Sequence, residues 1–334
     1  MGRTLYLMNS GELKRKGDTL CIVRESEKPK FLPVESTDEI MIFGEVDFNK
    51  SLLEFLTQKQ VILHIFNYYG YYTGTYYPRE HMNAGAVILA QARHCMDLPK
   101  RMEIASTFVT GAIENMKKVI EYYKRRRADL QVSDILEDLD GFAESAPKSD
   151  NVAALMGVEG NARNRYYQFF DRLSTNPAFQ MDSRTRRPPT NRMNALISFL
   201  NSMCYLLALS QIYRTYLDPR IGFLHETNFR SFSLNLDIAE IFKPILVDRL
   251  IFSLINKQMI QEKHFEKQSG GGIYLNEKGR EIVLRAWEER VKETIEHPRL
   301  KRKVSYRGLV RMEIHKVQKH ILEDKKYIPY ASRW

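Results

Sequence analysis

The chain has 334 residues, 43% hydrophobic and 28% charged, a balance that fits folded domains and excludes wholesale disorder. Lys and Arg outnumber Asp and Glu by 51 to 41, a formal net charge of +10, which favours a polyanion as partner; nucleic acid and an anionic membrane would both satisfy that excess. Three cysteines, Cys21, Cys95 and Cys204, lie too far apart for a C-x-x-C zinc knuckle or a disulfide framework and fit a reducing cytoplasm.

Residues 1–8 carry no apolar run of signal-peptide length, so a cytoplasmic protein is expected. Up to Pro78 the sequence is rich in Ile, Val, Tyr, Phe and Thr, with strand patterns at residues 4–8, 19–23, 30–33, 39–43, 61–66 and 71–77. Tyr69-Gly70 supplies a hairpin tip, and only residues 50–56 look helical. These patterns predict a small antiparallel β domain of about eight strands over residues 1–78, followed by a linker at 79–83.

Beyond that linker the period becomes helical, predicting a larger all-α catalytic domain over residues 84–334 and an α+β chain overall. Helices are expected at 82–96, 100–127, 132–144, 151–173, 190–217, 237–256, 277–294 and 304–323. A break is expected at Asp97-Leu98-Pro99, and a glycine-rich hairpin tip at 268–273. The most apolar stretch, 193–209, is interrupted by Asn194, Ser198, Asn201 and Ser202 and reads as a buried helix, not a membrane span.

Several residues could carry chemistry. In Gly157-Val158-Glu159-Gly160-Asn161-Ala162-Arg163 a carboxylate stands between two helical glycines, each costing about 1 kcal/mol against alanine, which implies close approach of another helix or of a substrate strand. His225 lies in the loop segment Gly222-Phe223-Leu224-His225-Glu226, and Asp237 and Glu240 share one helix face at i, i+3. Acids in a first helical turn also serve as dipole partners, and a lone histidine is usually structural. Together Glu159, His225, Glu240 and Asp237 offer the oxygen-rich set with one imidazole that suits Mg2+ or Mn2+. Basic segments at 14–16, 124–127 and 299–303, and Arg184, Arg186 and Arg187 before Pro188-Pro189, offer phosphate contacts, with Tyr166 and Tyr167 as possible stacking partners for unpaired bases.

Taken in order and spacing, five segments resemble the CRISPR-associated adaptation integrase family from Leu5 to about Tyr330. They are Gly157-Val158-Glu159-Gly160 with Tyr166, Arg184-Thr185-Arg186-Arg187-Pro188-Pro189 leading to Asn194-Ala195-Leu196, Gly222-Phe223-Leu224-His225-Glu226, Asp237-Ile238-Ala239-Glu240, and Lys243-Pro244. The resemblance implies a metal-dependent DNA integrase that inserts short DNA fragments into a CRISPR repeat array by attack of 3′ hydroxyls on phosphodiesters, with endonuclease and disintegrase activity at the same site. It implies Glu159, His225 and Glu240 as catalytic metal ligands, with Asp237 in or beside the coordination sphere. Candidate DNA contacts are Arg163, Tyr166, Arg184, Arg186, Arg187 and Lys243. Expected partners are double-stranded DNA, a second copy through the β domains and a small ferredoxin-like adaptation protein, with no membrane. Relatives often carry aspartate where this chain has Glu240 and arginine where it has Lys243. A junction-selective repair endonuclease and a non-catalytic DNA-binding scaffold are the alternatives.

Overall fold

The computed structural model describes residues 2–25, 27–174, 176–225, 232–297, 300–323 and 325–333. Glu226 of the histidine motif and Arg299 of the last basic segment lie outside them. The chain divides into two compact units, Met1–His81 with Leu275–Glu281, and Met82–Tyr274 with Ile282–Trp334.

In the first unit, β1 (Arg3–Leu7), β2 (Gly11–Lys16), β3 (Thr19–Val23), β4 (Lys30–Leu32), β5 (Thr37–Ile42) and β6 (Val46–Asp47) precede α1 (Lys50–Gln58), β7 (Ile62–Phe66) and β8 (Tyr72–Tyr76). They form two four-stranded sheets, ordered β1-β5-β7-β8 and β4-β3-β2-β6. The sheets are mixed, which corrects the antiparallel expectation: β1 with β5, β5 with β7 and β2 with β6 are parallel. Parallel neighbours need a crossover, and the chain supplies one through β2 to β4 and another through β6 and α1. Hairpin β7–β8 is antiparallel; its turn uses Gly70 at φ +78°, while Asn67 Oδ1 accepts from Tyr69 N and Tyr71 N at 3.0 and 2.9 Å. Alternation sends Leu5, Leu7, Ile40, Ile42 and Leu63 toward Leu52, Phe55 and Leu56 of α1.

The second unit contains α2 (Gly85–Met96), α3 (Leu98–Lys124), α4 (Ser133–Ser145), α5 (Val152–Leu173), α6 (Arg192–Ile212), α7 (Leu234–Lys243) and α8 (Arg249–Asn256), then hairpin β9 (Phe265–Lys267) and β10 (Ile273–Leu275), α9 (Glu277–Lys292) and α10 (Tyr306–Glu323). The first residues of α9 and the end of β10 fall in the first unit. Helix starts follow capping chemistry. Asp97 caps α3 by accepting from Lys100 N at 3.2 Å, Asn151 caps α5 and Asn191 caps α6. The apolar stripe of α3, Ile104, Phe108, Ile113 and Met116, is buried as its spacing predicts. By length and composition α6 would suit a membrane, but 78% of its most apolar stretch is buried inside the protein.

Two features position the site. Helix α7 packs against both α3 and α6 and is buried at every residue but Leu236, so its polar residues Asp237, Glu240 and Lys243 lie in the interior. The single helix expected over 237–256 is interrupted by a π-helical segment, Pro244–Asp248, because Pro244 has no N–H to continue the α-helical ladder.

Candidate active site

Asp237 organises the loop before α7. Its Oδ2 accepts from Phe223 N at 2.6 Å and Leu224 N at 3.1 Å, and its Oδ1 from His225 N at 2.9 Å and His225 Nδ1 at 2.7 Å. Ser233 Oγ closes the knot, accepting from Gly222 N at 2.9 Å and donating to Arg220 O at 2.7 Å. A side chain at 222 would meet Ser233, Asp237 and the His225 carbonyl at about 3 Å, hence glycine there. The imidazole is thus fixed through Nδ1, leaving Nε2 available to a ligand. Burial would lower the His225 pKa, but the bond to Asp237 and the charges of Asp237 and Glu240 outweigh it, so the pKa is raised from 6.5.

One helical turn along α7, Glu240 is 3% exposed. Its Oε2 accepts from Arg163 Nη2 at 2.6 Å, and Lys243 Nζ donates to Oε1. Arg163 Nε also reaches Glu159 Oε1 at 3.5 Å, so one guanidinium from α5 links the carboxylates of Glu159 and Glu240. Burial alone would raise the Glu240 pKa; Lys243, Arg163 and His225 reverse that and hold it well below the usual carboxylate range. Among the described residues, no atom beyond the helix's own backbone and the chain neighbours lies within 4 Å of a Cβ added at Gly157 or Gly160, so the α5 surface beside Glu159 is open there. Of the two explanations for those glycines, close packing of another helix is not what the described residues show.

The family described as CRISPR associated protein Cas1 matches residues 5–289 of this sequence. The chain belongs to the Cas1 family. A relative from Thermodesulfovibrio yellowstonii, CRISPR-associated endonuclease Cas1 2, is 53% identical over 334 residues, the full length of both chains. The solved structure of a Cas1 protein from Thermotoga maritima is similar with a TM-score of 0.88 at 45% identity, covering 99% of this chain and 100% of that one. A casposase bound to integration product has a TM-score of 0.85 at 20% identity, over 99% of this chain and 93% of its own, a likeness of fold. Cas1 membership agrees with the β-then-α architecture and with the nuclease or integrase class expected from the motifs.

Within this Cas1 chain the second unit brings Glu159, His225, Asp237 and Glu240 into one charged neighbourhood, but several expected roles change. Asp237 accepts four hydrogen bonds on its two oxygens, all from the loop that carries His225. Arg163 and Lys243, expected on DNA, are buried against Glu240, and Lys243 also lies over the Tyr205 ring at 4.6 Å. Tyr166, expected to stack on bases, has no exposed surface and packs on Phe169 and Phe170; Tyr167 is buried as well. Arg184 donates to Asn194 Oδ1 at 2.9 Å, to Ser198 Oγ at 3.0 Å and to the Thr185 carbonyl, so it braces the loop from inside. Arg186 and Arg187 remain exposed at the tip of that loop, which Thr185 and Thr190 close with a 2.8 Å hydroxyl contact.

The sequence reading missed Asp248. Carried inward by the π-helical segment, it is 1% exposed, and burial pushes its carboxyl up to about 7 despite nearby Arg163 and Lys243 and the adjacent Tyr166 hydroxyl. Its Oδ2, Arg163 Nη1 and the Tyr166 hydroxyl are all buried. The only sequence signal was an acid four residues after a mid-helix proline.

By donor chemistry the set fits a hard divalent ion: two carboxylates, and an imidazole whose far nitrogen is held by a carboxylate. By spacing, among the described residues no group of three His, Cys, Asp or Glu side chains is gathered as a metal site. Arg163 and Lys243 each reach one oxygen of Glu240.

Proposed function

We propose that the chain is a metal-dependent DNA integrase that inserts short DNA fragments into a CRISPR repeat array, with endonuclease and disintegrase activity at the same site. The observation that carries this reading is the geometry of the second unit: Glu159 on an open helix face, Glu240 bridged to it by Arg163, and His225 fixed by Asp237. Family membership supports it, as does the fold shared with a casposase bound to integration product.

Glu159, Glu240 and His225 Nε2 would hold Mg2+ or Mn2+. When bound, such an ion polarises a phosphodiester oxygen and neutralises charge developing on it. Asp237 holds the imidazole in one orientation and tautomer, and Arg163 and Lys243 keep Glu240 ionised. Arg186 and Arg187 present two guanidinium groups to the backbone of the incoming duplex. In the reaction the 3′ hydroxyl oxygen of the fragment loses its proton and forms a bond to a repeat phosphorus as the existing P–O bond breaks, and the oxygen of the departing strand takes up a proton in balance. One phosphodiester replaces another, so no nucleotide hydrolysis is needed. The working assembly is a homodimer joined through the first units, bound to double-stranded DNA and to a small ferredoxin-like adaptation protein, in the cytoplasm.

The test is strand transfer of a labelled duplex with free 3′ hydroxyls into supercoiled plasmid bearing a repeat, with and without manganese and with the small partner present. Metal-dependent covalent joining, lost in Glu159→Ala while its circular dichroism is unchanged, is the expected result. Cutting without joining would replace the reading with a junction endonuclease. Binding without either product would replace it with a scaffold.

A further inference from the structure

The basic run at the end of α3 takes no part in the site described above. Two consecutive tyrosines there have different tasks. Tyr123 faces inward, 5.5 Å from the Phe252 ring and 6.0 Å from Phe169, which anchors the helix end to α8 and α5. The Tyr122 ring lies nearly perpendicular to it, at 84°, and carries two cations. The guanidinium carbon of Arg126 sits 3.6 Å from the Tyr122 ring centroid, and that of Arg249, the first residue of α8, sits 4.2 Å from the same centroid. Arg126 Nη1 also donates to the Tyr122 carbonyl at 3.2 Å, so the side chain is fixed at two points.

Holding two like charges on one ring is unfavourable by itself. The ring's negative face offsets part of the repulsion, but capping an aromatic cluster would need only one cation. The surrounding charge is also positive. Lys124 and Arg125 are exposed beside the pair, and the adjacent acids are engaged, Glu121 by Lys118 at 3.0 Å and Asp129 by Arg127 at 2.7 Å. Among the described residues, neither Lys124 nor Arg126 has a carboxylate at ion-pair distance; Lys124 meets only the Ser133 hydroxyl at 3.3 Å. An anion with several oxygens spread along a line would relieve this arrangement, and planar guanidinium groups match phosphate oxygens in pairs.

We propose that Tyr122, Arg126 and Arg249, with Lys124 and Arg125 beside them, form a second binding site for the phosphodiester backbone of duplex DNA, separate from the Arg186–Arg187 loop tip and from the carboxylate centre. The inference rests on the DNA reading above and adds a surface to it. Such a site contacts backbone and not bases, so it positions a duplex without reading its sequence.

The test is fluorescence anisotropy of the full-length protein with a labelled duplex, across a series of salt concentrations. Replacing Arg126 and Arg249 by alanine should weaken binding to duplexes of unrelated sequence alike and reduce the log–log salt slope by about one to two units, at about 0.9 per lost phosphate contact. Arg126→Ala alone, at an exposed position, should lose about one unit and keeps the test open if the double variant misfolds. Arg172→Ala is the control, because Arg172 is paired with Asp134 at 2.6 Å; its slope should not change. A wild-type slope in both patch variants, or an equal loss in the control, would overturn the site. No DNA binding by the wild-type chain would instead overturn the reading on which it rests.

Discussion

Asp237 shows how one carboxylate can fix both the backbone and the ring of a neighbouring histidine. It ties three consecutive backbone amides and the ring of His225 to α7, so Asp237→Asn, which puts a donor where acceptors are needed, should loosen loop and ring together. Metal affinity, read by manganese electron paramagnetic resonance, should fall about 10–100-fold. The same change has a pH signature. The pKa of His225 is raised from 6.5, so its charged form adds stability that is fully present below 6.5 and lost as pH rises through the raised value. In Asp237→Asn that contribution should vanish, and the profile of melting temperature against pH should flatten across that window. Parallel profiles for wild type and variant would assign the shift to another group.

At the scale of elements, α7 is seated by α3 and by the last described residues. Asn115 of α3 donates from Nδ2 to Ile241 O at 3.0 Å and Tyr330 O at 2.8 Å, and its Oδ1 accepts from Ser332 N at 2.9 Å. The Tyr330 ring stacks on Phe242, 5.8 Å between centroids and 11° from parallel. Gly111 permits this approach, since an added Cβ would lie 2.6 Å from Pro329 Cβ. Gly111→Ala should therefore destabilise the protein by about 1–3 kcal/mol despite alanine's better helix propensity, a sign that chemical denaturation measures directly. The helices themselves were legible because periodicity is local: the buried face of α3, and caps such as Asp97, can be read from neighbouring residues. Strand β2 was not, because in Gly11-Glu-Leu-Lys-Arg-Lys only Leu13 is fully buried, and its charged neighbours looked like a solvated run. Parallel pairing was illegible for another reason, since it joins strands more than twenty residues apart, as with Thr4 and Glu39 or Glu39 and Ile62. For the site, the motifs located the acids and the histidine. The burial of Arg163, Tyr166 and Lys243 and the approach of Asp248 arise only when α5, α7 and the π-helical segment pack together.

For the molecule as a whole, the sheet order leaves β8 at an edge, and the hairpin leading into it exposes Tyr68, Tyr69 and Tyr72 at 64%, 42% and 39%. Exposed aromatics beside an unpaired strand edge are a surface that folded proteins usually cover. Sedimentation of the full chain should give twice its 39.2 kDa mass, and a monomeric mass across the micromolar range would remove the dimer from the proposed assembly. The division into units also bears on how the protein can be taken apart. Residues 275–281 belong with the first unit although nearly two hundred residues separate them from the rest of it. Residues 1–81 expressed without residues 275–281 would therefore lack a piece of the compact unit to which they belong, and a cut at the end of the β-rich stretch does not mark the whole boundary of that unit.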